Sequence, residues 1–217
     1  MKIVKQMFYV SVATATAVAL SLSAQAQNLL VDPGFEAEGA ANAWDQLNPI
    51  PIPAGVNGGW AQFGASLSFA YAHSGTYSAE IWDNSWSPQG VYQLVPAIPG
   101  DTYNLSAWYL CTATSGYATP ALVQETFYDA SGDNLGAYGP WLGEGTPGTW
   151  VQSPVVSEVA PANTAYIGAY LMYMDNNGAN GGLYYDDAVL TQVPEPSTIA
   201  LVACGLLGAL VIRRRMA

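Results

Sequence analysis

The 217-residue chain has a formal net charge of −11, yet all five of its basic residues sit at the ends, at Lys2, Lys5, Arg213, Arg214 and Arg215. From Gln27 to Val193 there is neither lysine nor arginine against fifteen carboxylates. A surface without cations cannot neutralise phosphates, which excludes nucleic-acid binding and attraction to anionic lipid head groups for this segment; it would attract divalent cations and repel polyanions.

The chain begins MKIVKQMFYVSVATATAVALSLSAQAQ. Two lysines precede an apolar run, and Ala24-Gln25-Ala26 places small residues where a signal peptidase needs them. Residues 1–26 therefore read as a secretory signal peptide, removed after Ala26 and outside fold reasoning.

Residues 27–192 suit one domain. Helical periodicity is absent, and glycine and proline are scattered throughout. Strand patterns recur at 78–82, 90–95, 102–112, 121–129, 149–156, 165–174 and 183–191, with turn signals at Pro99-Gly100-Asp101, Ser131-Gly132-Asp133-Asn134 and Asn176-Asn177-Gly178. Many short strands with no helix between them predict an all-β fold, an antiparallel β-sandwich or jelly roll. In the 121–129 run, Leu122, Gln124, Thr126 and Tyr128 share one face, and Val123, Glu125, Phe127 and Asp129 share the other. The stretch 37–64 is poorly patterned, and its NPIPIPAGVNGG, residues 48–59, reads as a loop. Cys111 follows an apolar strand and reads as a buried thiol; Cys204 lies in the C-terminal oily run, out of reach of an intramolecular disulfide.

The chain closes VPEPSTIALVACGLLGALVIRRRMA. Residues 198–212 are uncharged and as a helix would span ~22 Å, somewhat less than a bilayer's ~30 Å core, with arginine stems able to extend the reach. The arginines would stay cytoplasmic, leaving the acidic domain across the membrane. Pro194 and Pro196 hold Glu195 in an extended, accessible linker. This tail, residues 193–217, resembles the PEP-CTERM sorting tail of exported proteins in Gram-negative bacteria. The matching residues are Val193, Pro194, Glu195, Pro196, Ser197 and Thr198, the apolar run, and Arg213, Arg214 and Arg215. The resemblance implies an inner-membrane-anchored precursor cleaved by an exosortase-type transpeptidase, then release to the periplasm, cell surface or extracellular matrix, among proteins associated with extracellular polysaccharide and biofilm.

Five blocks of the domain, NLLVDPGFEAEG, AHSGTYSAEIW, VYQLVPAIPGDTYNLSAWYL, FYDASGDNLG and LYYDDAVL, occur in that order. Together they resemble the jelly-roll carbohydrate-binding modules of the family four and nine group, within the galactose-binding-like sandwiches. The chain departs from that pattern at Asp32-Pro33, where an Asn is usual, and over 37–64.

Glu36 near the start and Asp186-Asp187 on the last strand would converge if the terminal strands are neighbours. Without lysine or arginine, a buried carboxylate cluster is neutralised only by a metal or by protonation. The resemblance implies a structural Ca2+ at this place, with carbonyls around Asp32 and His73-Ser74 as supplementary ligands; the alternative is that the aspartates are solvated or bonded to turn amides. All seven tryptophans and thirteen of fourteen tyrosines follow the leader. Aromatic rings suit stacking on the C–H face of a pyranose. Trp82, Asp83, Asn84 and Trp86 form one candidate cluster, and Gln124, Tyr128, Tyr170 and Tyr173 add polar contacts. Core packing is the competing assignment for these rings and the expected one for Trp108 and Trp150. No catalytic residues emerge: His73 is the only histidine, and no Ser-His-Asp context or zinc spacing is present. The expectation is a non-catalytic exported protein that binds extracellular polysaccharide. The alternatives are a structural matrix protein without a ligand site and, behind it, a glycoside hydrolase.

Overall fold

The computed structural model describes residues 27–36, 44–46, 60–82, 88–112, 121–143, 145–174 and 182–193, with the backbone only at 44–46 and 60–63. The expected leader, the tail beyond Val193 with its apolar run, and Asp83, Asn84 and Trp86 lie outside the described residues. Among those described, every regular element is a strand.

The strands in chain order are β1 (Trp44–Gln46), β2 (Trp60–Phe63), β3 (Ala65–Ser68), β4 (Ser78–Ile81), β5 (Gln89–Pro96), β6 (Thr102–Cys111) and β7 (Ala121–Tyr128). They continue with β8 (Asn134–Tyr138), β9 (Trp141–Leu142), β10 (Val151–Gln152), β11 (Val156–Val159), β12 (Tyr166–Tyr173) and β13 (Leu183–Val193). One sheet runs β1-β2-β5-β12-β7-β8, with β9 also on β7; the other runs β10-β6-β13-β4-β3, with β11 also on β6. The fold is an all-β sandwich, antiparallel throughout the described pairings except where β1 lies parallel to β2.

Alternation along the central strands builds the core. On β12, Ile167, Ala169, Leu171 and Tyr173 point inward; on β7, Ala121, Val123 and Phe127 do the same. They meet Tyr103, Leu105, Ala107, Tyr109 and Cys111 of β6 and Leu183, Tyr185 and Leu190 of β13. Cys111 is a buried thiol, as its apolar strand predicts. Tyr185 ties the sheets together: its hydroxyl donates to the Met172 carbonyl at 2.8 Å and accepts from the Leu122 amide at 3.1 Å.

The expected strands are present within a residue or two, apart from 149–156. That run divides into β10 and β11 around Pro154, which has no N–H to donate to a ladder. Its neighbour Ser153 keeps the chain on β6 by donating its amide to the Ala107 carbonyl and accepting the Ala107 amide on its hydroxyl. The poorly patterned stretch 37–64 contributes both β1 and β2, while its expected loop, residues 48–59, lies outside the described residues. Pairing partners made these short segments into strands, and no alternation within them signals it.

The first and last segments are neighbours. Asn28 donates its side-chain amide to the Ala188 carbonyl at 2.8 Å, and its oxygen accepts the Leu190 amide at 3.0 Å. Gln93, buried on β5, holds Val31 with bonds of 2.7 and 2.9 Å to its amide and carbonyl.

Candidate functional site

Two surfaces carry most of the described residues nominated by the sequence; Trp82, after β4, lies on neither. The first is the outer face of the β5–β12–β7 region. Tyr170 is paired with Tyr92 on one side and Gln124 on the other, so all three share a face. The Tyr92 and Tyr170 rings stack at 5.0 Å, and the Tyr170 and Tyr128 hydroxyls share a bond of 2.6 Å. Gln124 donates to the Thr126 hydroxyl at 2.9 Å. Burial, reinforced by its bond to Tyr128, raises the Tyr170 phenol well above the ordinary range; burial also raises Tyr92 and Tyr128. These groups stay uncharged and serve as hydrogen-bond donors and acceptors.

Tyr173 does not join them. It lies three residues from Tyr170, an odd spacing that turns it to the opposite face, where it is buried in the core. Two residues that the sequence reading passed over do belong to the face. Tyr92 is one; Trp141 is the other, paired with Leu122 and 40% exposed. β9 is too short to show a pattern, and only its pairing assigns the ring to this side.

Glu125 sits on the inner side of β7, fully buried, with neither carboxylate oxygen hydrogen-bonded. Burial and, secondarily, the charge of Glu158 push its carboxyl up to about 9. It is a neutral acid inside the sandwich and does not reach a substrate lying on the outer face.

The second surface is the corner where β13 leaves its partner. The β13–β6 register shifts between Asp186 and Val189, and Asp187 adopts φ 46°. This bulge aims both aspartates at the 73–77 connection. Asp186 accepts the amides of His73 at 2.8 Å, Ser74 at 3.1 Å and Asp187 at 2.7 Å. Burial raises its carboxyl to about 6, against the lowering effect of those three amides. Asp187 accepts His73 Nδ1 at 2.6 Å and the Ser74 hydroxyl at 2.8 Å. Glu36 accepts the Thr76 and Tyr77 amides at 2.8 and 2.9 Å, while Asp32 accepts the Glu36 amide at 2.7 Å. His73 stacks on Trp108 at 4.0 Å and meets Trp150 edge-on at 5.6 Å. Both tryptophans, expected in the core, instead frame this corner and are half-buried.

The acids converge around Gly34, where a methyl group would stand 3.6 Å from Asp187 Oδ1, 3.7 Å from Asp186 Oδ1 and 3.9 Å from Glu36 Cγ. The donor set is therefore of the hard-oxygen kind that suits calcium. Its oxygens are engaged by amides, a hydroxyl and an imidazole. Among the described residues no group of three or more His, Cys, Asp or Glu is arranged to hold a metal ion.

Comparison with known proteins agrees with both ends of this description. Residues 192–215 match the PEP-CTERM protein-sorting motif, the mark of an exported protein processed at the membrane. No curated protein matches the sequence. A Stig cyclase, Fisc from Fischerella sp. TAU, is similar in structure with a TM-score of 0.51 and 13% identity, over 77% of this chain and 97% of its own. The enzymatically active domain of tailspike protein 4 from bacteriophage CBA120 has a TM-score of 0.50 and 13% identity, over 76% of this chain and 21% of its own. Carbohydrate-binding modules are also structural neighbours. TmCBM61, solved in complex with β-1,4-galactotriose, has a TM-score of 0.47 and 16% identity, over 77% of this chain and 99% of its own. At such identities the two likenesses of 0.50 and above show a shared sandwich fold alone.

Proposed function

We propose that the domain is a non-catalytic carbohydrate-binding β-sandwich of an exported surface or matrix protein, sorted by an exosortase-type system after removal of the leader by signal peptidase. The observation that carries this reading is the outer face of β5, β12 and β7. There uncharged phenols at Tyr92, Tyr128 and Tyr170 sit beside the amide of Gln124 and the exposed indole of Trp141. Phenol and amide groups exchange hydrogen bonds with sugar hydroxyls, and an indole covers the C–H face of a pyranose. The absence of lysine and arginine from Gln27 to Val193 favours neutral over acidic polysaccharide. The protein would act in the periplasm, at the cell surface or in the extracellular matrix.

Affinity gels containing neutral and acidic polysaccharides, run with calcium present, test this reading. At least one neutral polymer should retard the protein. Gln124→Ala with Tyr170→Ala should weaken retention about tenfold, the worth of two lost hydrogen bonds. No retardation across the panel rejects the proposal.

Calcium belongs to the same reading. Glu36, Asp186 and Asp187 would hold it with Asp32, His73 and Ser74 beside them, and the ion would supply the positive charge that this corner lacks. Chelation by EDTA should then lower the unfolding midpoint by several degrees, since a ligand bound only by the folded state stabilises it. Equal midpoints reject a stabilising ion.

The low exposure of Tyr92 and Tyr128, 7% each, favours a second reading, a structural matrix protein with these rings as packing. It predicts self-association without polysaccharide retention. A glycoside hydrolase would instead release reducing ends from a retained polymer.

A further inference from the structure

The fold separates the residues nominated for sugar contact. Gln124, Tyr128 and Tyr170 lie outside one sheet, whereas Trp82 follows β4 in the other sheet, across the core. Ile81 is fully buried, so Trp82, the next residue, turns outward and is 53% exposed. Its indole lies over Gly182, where an added methyl would stand 3.5 Å from the ring and 3.4 Å from the Tyr184 ring. Tyr184 in turn meets Tyr71 edge-to-face at 4.9 Å, and Tyr71 is 43% exposed. The result is a row, Trp82–Tyr184–Tyr71, in which the outer rings are open to solvent and the buried Tyr184 backs them, its hydroxyl donating to the Glu80 carboxylate.

The row is held in place from beneath. Thr112 accepts the Gly182 amide at 2.9 Å and donates to its carbonyl at 3.1 Å, and the Ser78 hydroxyl donates to the Tyr71 carbonyl. Fixed rings lose little freedom when a ligand stacks on them. The exposed faces also have a preferred occupant. The 27–193 segment has carboxylates and no lysine or arginine, so a polyanion and a second copy of the chain are both repelled. A neutral sugar offers C–H groups to the rings and hydroxyls to Glu80 at no charge cost.

We infer that this row is a second carbohydrate-contact face, taking a neutral polysaccharide on the side of the sandwich opposite the first, so that one molecule bridges two polymer chains. The inference rests on the carbohydrate-binding reading above.

The exported protein, in its native form, is mixed with whichever soluble neutral polysaccharide retards it, and cross-linking is followed by light scattering. The wild type should produce growing particles. Trp82→Ala with Tyr71→Ala should raise the concentration needed for growth about tenfold, as two stacking contacts of ordinary strength imply. Retention through the Gln124 and Tyr170 face should persist. If the double variant unfolds at lower urea than the wild type, Trp82→Gln alone removes the more exposed ring and is read in the same assay. Unchanged scattering in a folded variant overturns the inference while leaving the first face intact. So does a wild-type dimer in sedimentation that the variant abolishes, which would identify a second copy as the occupant. If no polysaccharide retards the wild type, both readings fall.

Discussion

Glu125 is the residue whose chemistry departs furthest from its sequence context. In the run ALVQETFY it alternates with apolar neighbours, and the same alternation that sends Val123 and Phe127 inward takes Glu125 with them. No lysine or arginine exists in the domain to pair with it, and neither oxygen finds a donor. Protonation removes the charge instead. Its folded-state value, about 9, lies above the ordinary 4.5, so the folded state holds the proton more tightly. The sign follows: stability from this group is complete below pH 4.5 and falls as pH rises towards 9. By pH 7 the loss amounts to roughly 3 kcal/mol. Urea midpoints measured from pH 5 to 9 should decline in the wild type, and Glu125→Gln should flatten the curve and raise stability at pH 8. A wild-type profile as flat as the variant's would contradict a neutral buried acid.

At the level of elements, β13 does two jobs along eleven residues. Its first part sends Tyr185 through the core to the backbone of β7 and β12. Tyr185→Phe keeps the ring and removes the hydroxyl that bonds the buried Leu122 amide and Met172 carbonyl, so thermal unfolding should report a loss of about 1–3 kcal/mol. Its middle breaks register and delivers Asp186 and Asp187 to the 73–77 connection. That connection depends on Gly75, which has φ 61° and where a side chain would collide with the Glu36 carboxylate. Gly75→Ala should therefore destabilise the protein by at least 1 kcal/mol, roughly the cost of forcing a left-handed conformation. It should also release Glu36 from the Thr76 and Tyr77 amides, visible as faster exchange of those two amides. The YYDD run signals a strand and two acids in the sequence, but the bulge that turns the acids is visible only through the pairing with β6 and the contact with Pro33.

For the whole molecule, charge and address are segregated. Every basic residue lies within the first five positions or at Arg213, Arg214 and Arg215, and residues 192–215 carry the sorting motif. Processing at both ends would leave a polypeptide without a single lysine or arginine. The intact mass of the exported product should correspond to a chain that starts at Gln27 and has lost its arginines, with any attached group appearing as an increment. Replacing Pro194-Glu195-Pro196 with alanines should leave the unprocessed tail in membrane fractions.

The sequence by itself determined the strand periodicity, the segregation of charge and the sorting tail, because each is a local pattern of polarity or spacing along the chain. Glu36 and Asp186-Asp187 do converge, but through the strandless segment at 28–36 lying beside β13; the first strand, β1, is in the other sheet. Tertiary structure decided the rest. Tyr173 went to the core while Tyr170 stayed outside, Trp141 joined the face through two residues of pairing, and Trp82 was carried to the opposite sheet. A strand's own pattern gives the two sides of each residue, but which side is covered depends on the sheet packed against it, and that partner comes from distant parts of the chain.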